Sequence, residues 1–244
     1  MLVNITIPCF NEERKLIRTV DTLYAFLQRD LGFDWVIDIV DNGSTDGTFR
    51  DAMRLASNYK KVRPIRLDEK GRGRALKTAW SGGADIYCYM DVDLSTDVNA
   101  LLVLIGALTA GHYDLATGSR LLPRSKVRRS LKREILSRGY NQIVRSMFDT
   151  RLTDFQCGFK AITARAAKVL LPTVVDDGWF FDTELLLRAE HFNYWILDLP
   201  VDWTENGDSR VKIVSTAYDD IKGLLRVRKE LNRRDRERRE WKAR

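Results

Sequence analysis

YCYMDVDLSTD, residues 87–97, is the stretch on which the reading of this 244-residue chain turns. Apolar residues run directly into Asp91 and Asp93, with Asp97 close behind. In an extended strand, residues 91 and 93 point to the same side, so both carboxylates can reach one site. Paired carboxylate oxygens suit a hard divalent cation such as Mg2+ or Mn2+, which needs few protein ligands when a diphosphate supplies the rest. A solvated turn at a strand end is the plainer reading of a bare Asp-x-Asp. The neighbouring segments favour the cation.

Working outward, the first 120 residues alternate strand and helix patterns. Strands are predicted at 3–9, 35–40, 62–67, 85–90 and 113–119, with Pro64 placing the third at an edge or ending it early. Helices are predicted at 12–29, with Leu16, Val20, Leu23 and Leu27 on one face, then at 48–58, after the loop EKGRGRA (69–75), and at 97–110. Such alternation implies a mostly parallel sheet with helices on both faces, and ligands in these sheets sit beyond the carboxyl ends of the strands. The polar motifs fall there: Asn11-Glu12 after the first strand, Asp41 after the second, Asp91 and Asp93 after the fourth, Arg120 after the fifth. After a basic connector, a helix is predicted at 131–148 with Leu131, Ile135, Leu136, Ile143, Val144 and Met147 at helical spacing. A strand follows at 154–163, then a helix from Asp182, a strand near 194–201, and a charged helix from about 216.

DNGSTDGT (41–48) is a good strand-to-helix turn, and Asp41 can also accept from a nucleobase or ribose. Glu12 suits a helix start against the dipole and can equally bond a nucleotide. KGRGRA (70–75) is a solvated loop or a diphosphate seat; it lacks the P-loop spacing, and no G-x-G-x-x-G follows the first strand.

Composition narrows the class. Hydrophobic residues make up 44%, enough for a sizeable core. Cys9, Cys88 and Cys157 are neither a disulfide framework nor a zinc spacing. With His112 and His191 the only histidines, a His-based metal site or a Ser-His-Asp triad is poorly supported. No apolar run approaches the ~18–20 residues that span a bilayer, and MLVNITIPCF does not read as a signal peptide. The net charge of +7 is uneven: residues 222–244 hold eleven Lys/Arg against four Asp/Glu, and residues 120–145 hold nine against Glu134 alone. Two basic segments on a mildly acidic body suggest an anionic partner, either a membrane surface, a phosphate-bearing substrate or nucleic acid. The last is disfavoured by the tail's own acids (Glu230, Asp235, Glu237, Glu240) and its single aromatic, Trp241.

IPCFNEE, DNGSTDGT, KGRGRA, MDVDLST, TGSR, LKREILSRGYN, DFQCGFK, FDTELL and WTENGDSRV together resemble the family-two glycosyltransferases of GT-A fold. Within them the chain looks like the dolichyl- or polyprenyl-phosphate sugar synthases, over nearly all of residues 3–212. The resemblance implies an α/β, Rossmann-like, mostly parallel sheet flanked by helices. It spans residues 1–215, with a nucleotide-binding half (1–120), an acceptor- and membrane-facing half (121–215) and a basic helical extension (216–244). It implies that Pro8, Phe10, Glu12, Ile39, Asp41 and Asp91 bind the nucleotide, and that Asp91 and Asp93 hold Mg2+ or Mn2+. Arg120, Arg133, Ser137 and Arg210 would grip the acceptor phosphate, and Asp93, Arg120, Arg133 and Arg210 would carry catalysis. Two positions depart from the pattern: Ser95 stands where some relatives have a metal-contacting Gln, and Asn42 replaces an aspartate.

The implied reaction moves a hexose from a UDP- or GDP-linked donor to a polyprenyl or dolichyl monophosphate with inversion. UDP is slightly favoured, because DFQCGFK and FDTELL look closer to the glucosyl branch. A related transferase with a saccharide acceptor would need a carboxylate base, for which Asp154 and Asp182 are candidates. The implied location is peripheral, on the cytoplasmic face of a membrane, met by helix 131–148, the basic tail or a separate membrane-protein partner.

Overall fold

The computed structural model describes residues 1–205 and 213–242. Its elements in chain order are β1 (Leu2–Cys9), α1 (Glu13–Asp30), β2 (Asp34–Asp41), α2 (Thr48–Asn58), β3 (Val62–Arg66), α3 (Arg72–Ala79), β4 (Ile86–Met90), α4 (Ala100–Thr109) and β5 (Leu115–Ser119). They continue with β6 (Lys126–Arg128), α5 (Leu131–Met147), β7 (Phe159–Thr163), α6 (Ala164–Leu170), α7 (Phe181–His191), β8 (Ile196–Pro200), β9 (Asp202–Thr204) and α8 (Ile213–Lys242).

Seven strands form one sheet in the order β3-β2-β1-β4-β7-β5-β8, parallel except for β7, which runs against both neighbours. The strands read as near-continuous apolar runs because both faces are covered. One face packs Ile5, Ile7, Leu16, Val20, Leu23 and Leu27 with α4's Leu101 and Leu104. The other packs Val40, Leu76, Trp80 and Tyr89 with Phe155, Phe181, Leu185, Leu224 and Val227. Edge strand β3 tolerates Pro64, as a strand with one unpaired side can. Register sets Asp41 beside Cys9 and Tyr89 beside Thr6, so the tips of β2, β1 and β4 end together.

Several expectations are corrected. The segment 154–163 becomes a strand only at Phe159, because the preceding residues spend their polar groups elsewhere. Asp154 binds Arg120, Phe155 N–H donates to Asn141, and Gln156 Nε2 donates to Asp220. The helix predicted from 97 begins at Ala100, after a turn in which Asp97 Oδ1 accepts from Asn99 N–H. The basic connector contains β6, which pairs with β9 in a small second sheet beside the Asp93 turn, where Ser95 O accepts from Thr204 N–H. α8 is held to the body by Leu224, Val227 and Leu231, all buried, and by ion pairs across to α7, Arg226 with Glu184 at 2.7 Å and Glu230 with Arg188 at 2.6 Å.

Candidate active site

At the carboxyl edge of the sheet, the loops after β1 and β2 are stitched together. Ser44 Oγ accepts from Asn11 N–H, Asn11 Oδ1 accepts from Thr45 N–H, and Thr48 Oγ1 accepts from Glu12 N–H. Asn11 adopts φ 54° and Leu94, directly after Asp93, φ 49°. Two of the three left-handed non-glycine residues among the described residues therefore sit at tips of this site, where strain concentrates in functional loops. Pro8 and Glu12 are half-buried there, and Phe10 carries Lys70 Nζ 3.9 Å over its ring. Ile39 is wholly buried in the core. Asp41 is also wholly buried; its Oδ1 accepts from Ser44 N–H at 3.3 Å, while Oδ2 has no hydrogen-bond partner among the described residues, with Arg66 Nη1 at 3.9 Å.

Asp91 and Asp93, both half-buried, follow β4, which ends at Met90, in a turn where Asp91 O accepts from Leu94 N–H at 3.2 Å, so the extended strand expected to point both carboxylates to one side does not reach them. Arg72 Nη2 donates to Asp91 Oδ1 at 2.8 Å, and its Nη1 lies 3.5 Å from Asp182 Oδ2. Asp182 also receives the Tyr89 hydroxyl at 2.7 Å and Lys160 Nζ at 3.1 Å. Burial pushes the Asp91 carboxyl up, and Asp93 and Asp182 add to this against Arg72 and Arg120. Gly158 lies against the Asp91 carboxylate, so closely that a Cβ there would overlap it.

The donor set fits a hard cation. It consists of two oxygen-bearing carboxylates plus the buried Ser95 hydroxyl, which has no hydrogen-bond partner among the described residues and whose own N–H donates to Asp93 Oδ1 at 3.0 Å. No cluster of three or more His, Cys, Asp or Glu stands ready to hold a metal among the described residues. Most ligands of such a cation would therefore come from diphosphate and water.

Arg120, after β5, forms a fork on Asp154 and lies within electrostatic reach of Asp91. Burial alone would raise the Asp154 carboxyl, but Arg120 and two backbone N–H groups hold it down at about 2. Arg120 also lies 5.7 Å from the Trp203 ring of β9. On α5, the inward face carries Arg133, Ser137, Tyr140, Asn141 and Val144. Arg133 pairs with Glu205 at 2.8 Å, and the Ser137 hydroxyl is buried with no partner among the described residues. Arg210 lies outside the described residues. The β4 and β5 tips thus bring Asp91, Asp93 and Arg120 together, while Arg133 and Ser137 approach from α5.

KGRGRA differs from a diphosphate seat in one respect. The N–H groups of Gly73 and Arg74 donate to the carbonyls of Gly178 and Asp177, and Gly71 and Gly73 lack side chains because backbone 176–178 packs there. The sequence reading overlooked Arg72, Lys160 and Glu205. The first two were signalled by their place inside KGRGRA and DFQCGFK.

The chain matches the model for Glycosyl transferase family 2 over residues 4–171. The chain belongs to glycosyl transferase family 2. This family-2 transferase is 38% identical over 218 residues to Glycosyltransferase AglD of Haloferax volcanii, covering 87% of this chain and 34% of AglD. It is 30% identical over 244 residues to a dolichyl-phosphate beta-glucosyltransferase of Dictyostelium discoideum, covering 93% of this chain and 73% of that protein. The chain thus spans about a third of the length of AglD. Among solved structures, glucosyl-3-phosphoglycerate synthase from Mycobacterium tuberculosis in complex with UDP superposes with TM-score 0.68 at 20% identity, covering 93% of this chain and 80% of that one. That likeness shows the fold, a GT-A transferase sheet. No helix of the described residues is long and apolar enough to cross a membrane.

Proposed function

We propose that this glycosyltransferase moves a hexose from a nucleotide sugar to a polyprenyl or dolichyl monophosphate, inverting the anomeric carbon. The observation that carries the reading is that, among the described residues, neither carboxylate candidate for a base is free. A hydroxyl acceptor needs a carboxylate to take its proton, and both candidates are already engaged: Asp154 by Arg120, Asp182 by Tyr89, Lys160 and Arg72. A lipid monophosphate needs no such base, because its second pKa of roughly 6 leaves it largely ionised at neutral pH. The names of the relatives at 27–31% identity, dolichyl-phosphate beta-glucosyltransferases, support the same acceptor. They also favour glucose and hence UDP over GDP, as do the UDP and Mn2+ complexes of the fold relative.

In this reading Asp41's unpartnered oxygen accepts from the nucleotide, with Pro8, Phe10 and Glu12 in the same half-site, whereas Ile39 is buried in the core and offers it no surface. Asp91 and Asp93 would hold a Mg2+ or Mn2+ that neutralises charge on the departing nucleoside diphosphate. Arg120 and Arg133, with Arg210, hold the attacking phosphate oxygen in line, and the Ser137 hydroxyl donates to it. The catalytic domain extends to about residue 215, with α8 as a packed extension.

The acceptor is reached at a membrane surface. α5 turns its functional side chains inward and leaves Leu131 75% and Ile135 63% exposed, flanked by exposed Lys132, Arg138 and Arg145. α8, which packs on α5, exposes Tyr218, Ile221 and Leu225 at helical spacing. An apolar strip edged with cations suits an anionic leaflet, here taken as the cytoplasmic one, with a separate membrane-protein partner as the other means of attachment. The test offers radiolabelled UDP-glucose or GDP-mannose with Mn2+ to polyprenyl phosphate and, in parallel, to a saccharide acceptor. Label passing into the organic phase supports the proposal. Label transferred only to a saccharide acceptor overturns it.

A further inference from the structure

We infer that Trp179, backed by Arg72, is the platform on which the donor's hexose ring lies, a subsite that rests on the nucleotide-sugar reading above. Trp179 opens the aromatic run Trp179-Phe180-Phe181 ahead of α7. Phe180 and Phe181 are buried to 2% and 0% exposure, whereas Trp179 is left 45% exposed. Its loop is firmly held. Asp176 Oδ1 accepts from Gly178 N–H at 2.7 Å, Lys77 Nζ pairs with Asp177 at 2.7 Å, and Gly178 O accepts from Gly73 N–H at 3.2 Å. An indole fixed in this way and still half open to water leaves a large apolar area without a partner.

Its position supplies the partner. The Arg72 guanidinium lies 4.2 Å from the Trp179 ring, and the same guanidinium donates to Asp91 at 2.8 Å. One side chain therefore links the indole to the carboxylate that faces the diphosphate in that reading. A hexose presents one face of C–H groups, which packs on an indole, and a rim of hydroxyls, which bond to charged neighbours such as Arg72. A nucleoside diphosphate lacking the sugar gains nothing from this platform, so its contribution separates the two ligands.

The experiment compares UDP with UDP-glucose, and GDP with GDP-mannose, by calorimetric titration in Mn2+ on the full chain, wild type against Trp179→Ala and Trp179→Phe. The expected result is a loss of about tenfold in affinity for the nucleotide sugar with Trp179→Ala, an unchanged affinity for the bare diphosphate, and substantial recovery with Trp179→Phe. Equal weakening of both ligands, or no change in either, overturns the platform while leaving the nucleotide-sugar reading in place. A folded wild-type protein that binds none of the four ligands overturns both.

Discussion

Arg120 and Asp154 meet as two forks: Nε donates to Oδ2 at 2.7 Å and Nη2 to Oδ1 at 2.9 Å, with the Arg120 backbone N–H also on Oδ2 at 3.0 Å. Asp154 is wholly buried and Arg120 mostly so, so Arg120 is the counter-charge of a carboxylate that water does not reach. Removing one partner of such a pair typically costs about 3–5 kcal/mol, because the remaining charge is stranded. Asp154→Asn is therefore expected to destabilise the protein by about that amount at pH 7. The sign with pH follows from the lowered carboxyl. Its contribution is fully present above the ordinary carboxylate value near 4 and is lost as pH falls through about 2. The gap between wild type and variant in urea unfolding should shrink by about 2 kcal/mol between pH 4 and pH 2. A gap that stays constant with pH would show that Arg120 does not depend on the carboxylate's charge.

Asp220 titrates in the opposite sense. It is 2% exposed, one oxygen accepts from Gln156 and the other has no partner among the described residues; burial, with Asp176 and Asp219, pushes it up to about 7. Between about pH 4 and 7 the folded protein binds a proton that the unfolded chain has released, so stability falls as pH rises through that window. Asp220→Asn, which keeps an acceptor for Gln156, should match wild type at pH 4 and exceed it by about 4 kcal/mol at pH 8. Parallel stability curves for the two proteins would refute this.

The strand tips were legible because a buried parallel strand is an apolar run and its polar terminus stands out, as at Met90-Asp91. The reversed direction of β7 was not, since a hydrophobic run carries no sign of the direction in which it pairs. β6 and β9 hold three residues each, too few for a period, and show only Val127 and Trp203 at their centres. On α5 the apolar spacing located the helix but not its outward face. Of the six apolar residues that defined it, Val144 alone is fully buried. Arg72 escaped notice because one cation among three in a glycine-rich basic loop looks solvated until Asp91 and Trp179 are seen around it.

Asp93→Ala should abolish turnover while leaving the unfolding midpoint nearly unchanged, as expected for a half-exposed tip residue outside the core. A readout apart from turnover is the stabilisation that Mn2+ plus UDP confers on the folded chain. Binding at 100 times Kd raises stability by about 2.7 kcal/mol, and the variant should lose most of this. Retained stabilisation by Mn2+ would remove Asp93 from the cation site.

Gly158→Ala tests how tightly the Asp91 carboxylate is placed. The new methyl would occupy the carboxylate's own position, and Asp91 is tethered by Arg72 on its other side, so it must move. A displacement of about 1 Å at a catalytic group can cost about a hundredfold, and kcat should fall by that order with the fold intact by circular dichroism. Full activity would mean that Asp91 tolerates relocation.

Leu131→Glu with Ile135→Glu separates the membrane face from the catalytic one. Both side chains are mostly exposed, so the double variant should unfold within about 0.5 kcal/mol of wild type. Arg133 and Ser137 lie on the inward side of the same helix, and transfer to a short, water-soluble prenyl phosphate should be unaffected. Flotation with anionic liposomes at low salt should fail for the variant, because two charges now sit where apolar contact was needed and repel the lipid phosphates. Wild-type flotation by the variant would move the membrane contact to α8 or to a partner protein. Loss of activity on the soluble acceptor would mean that the outer face of α5 also shapes the site.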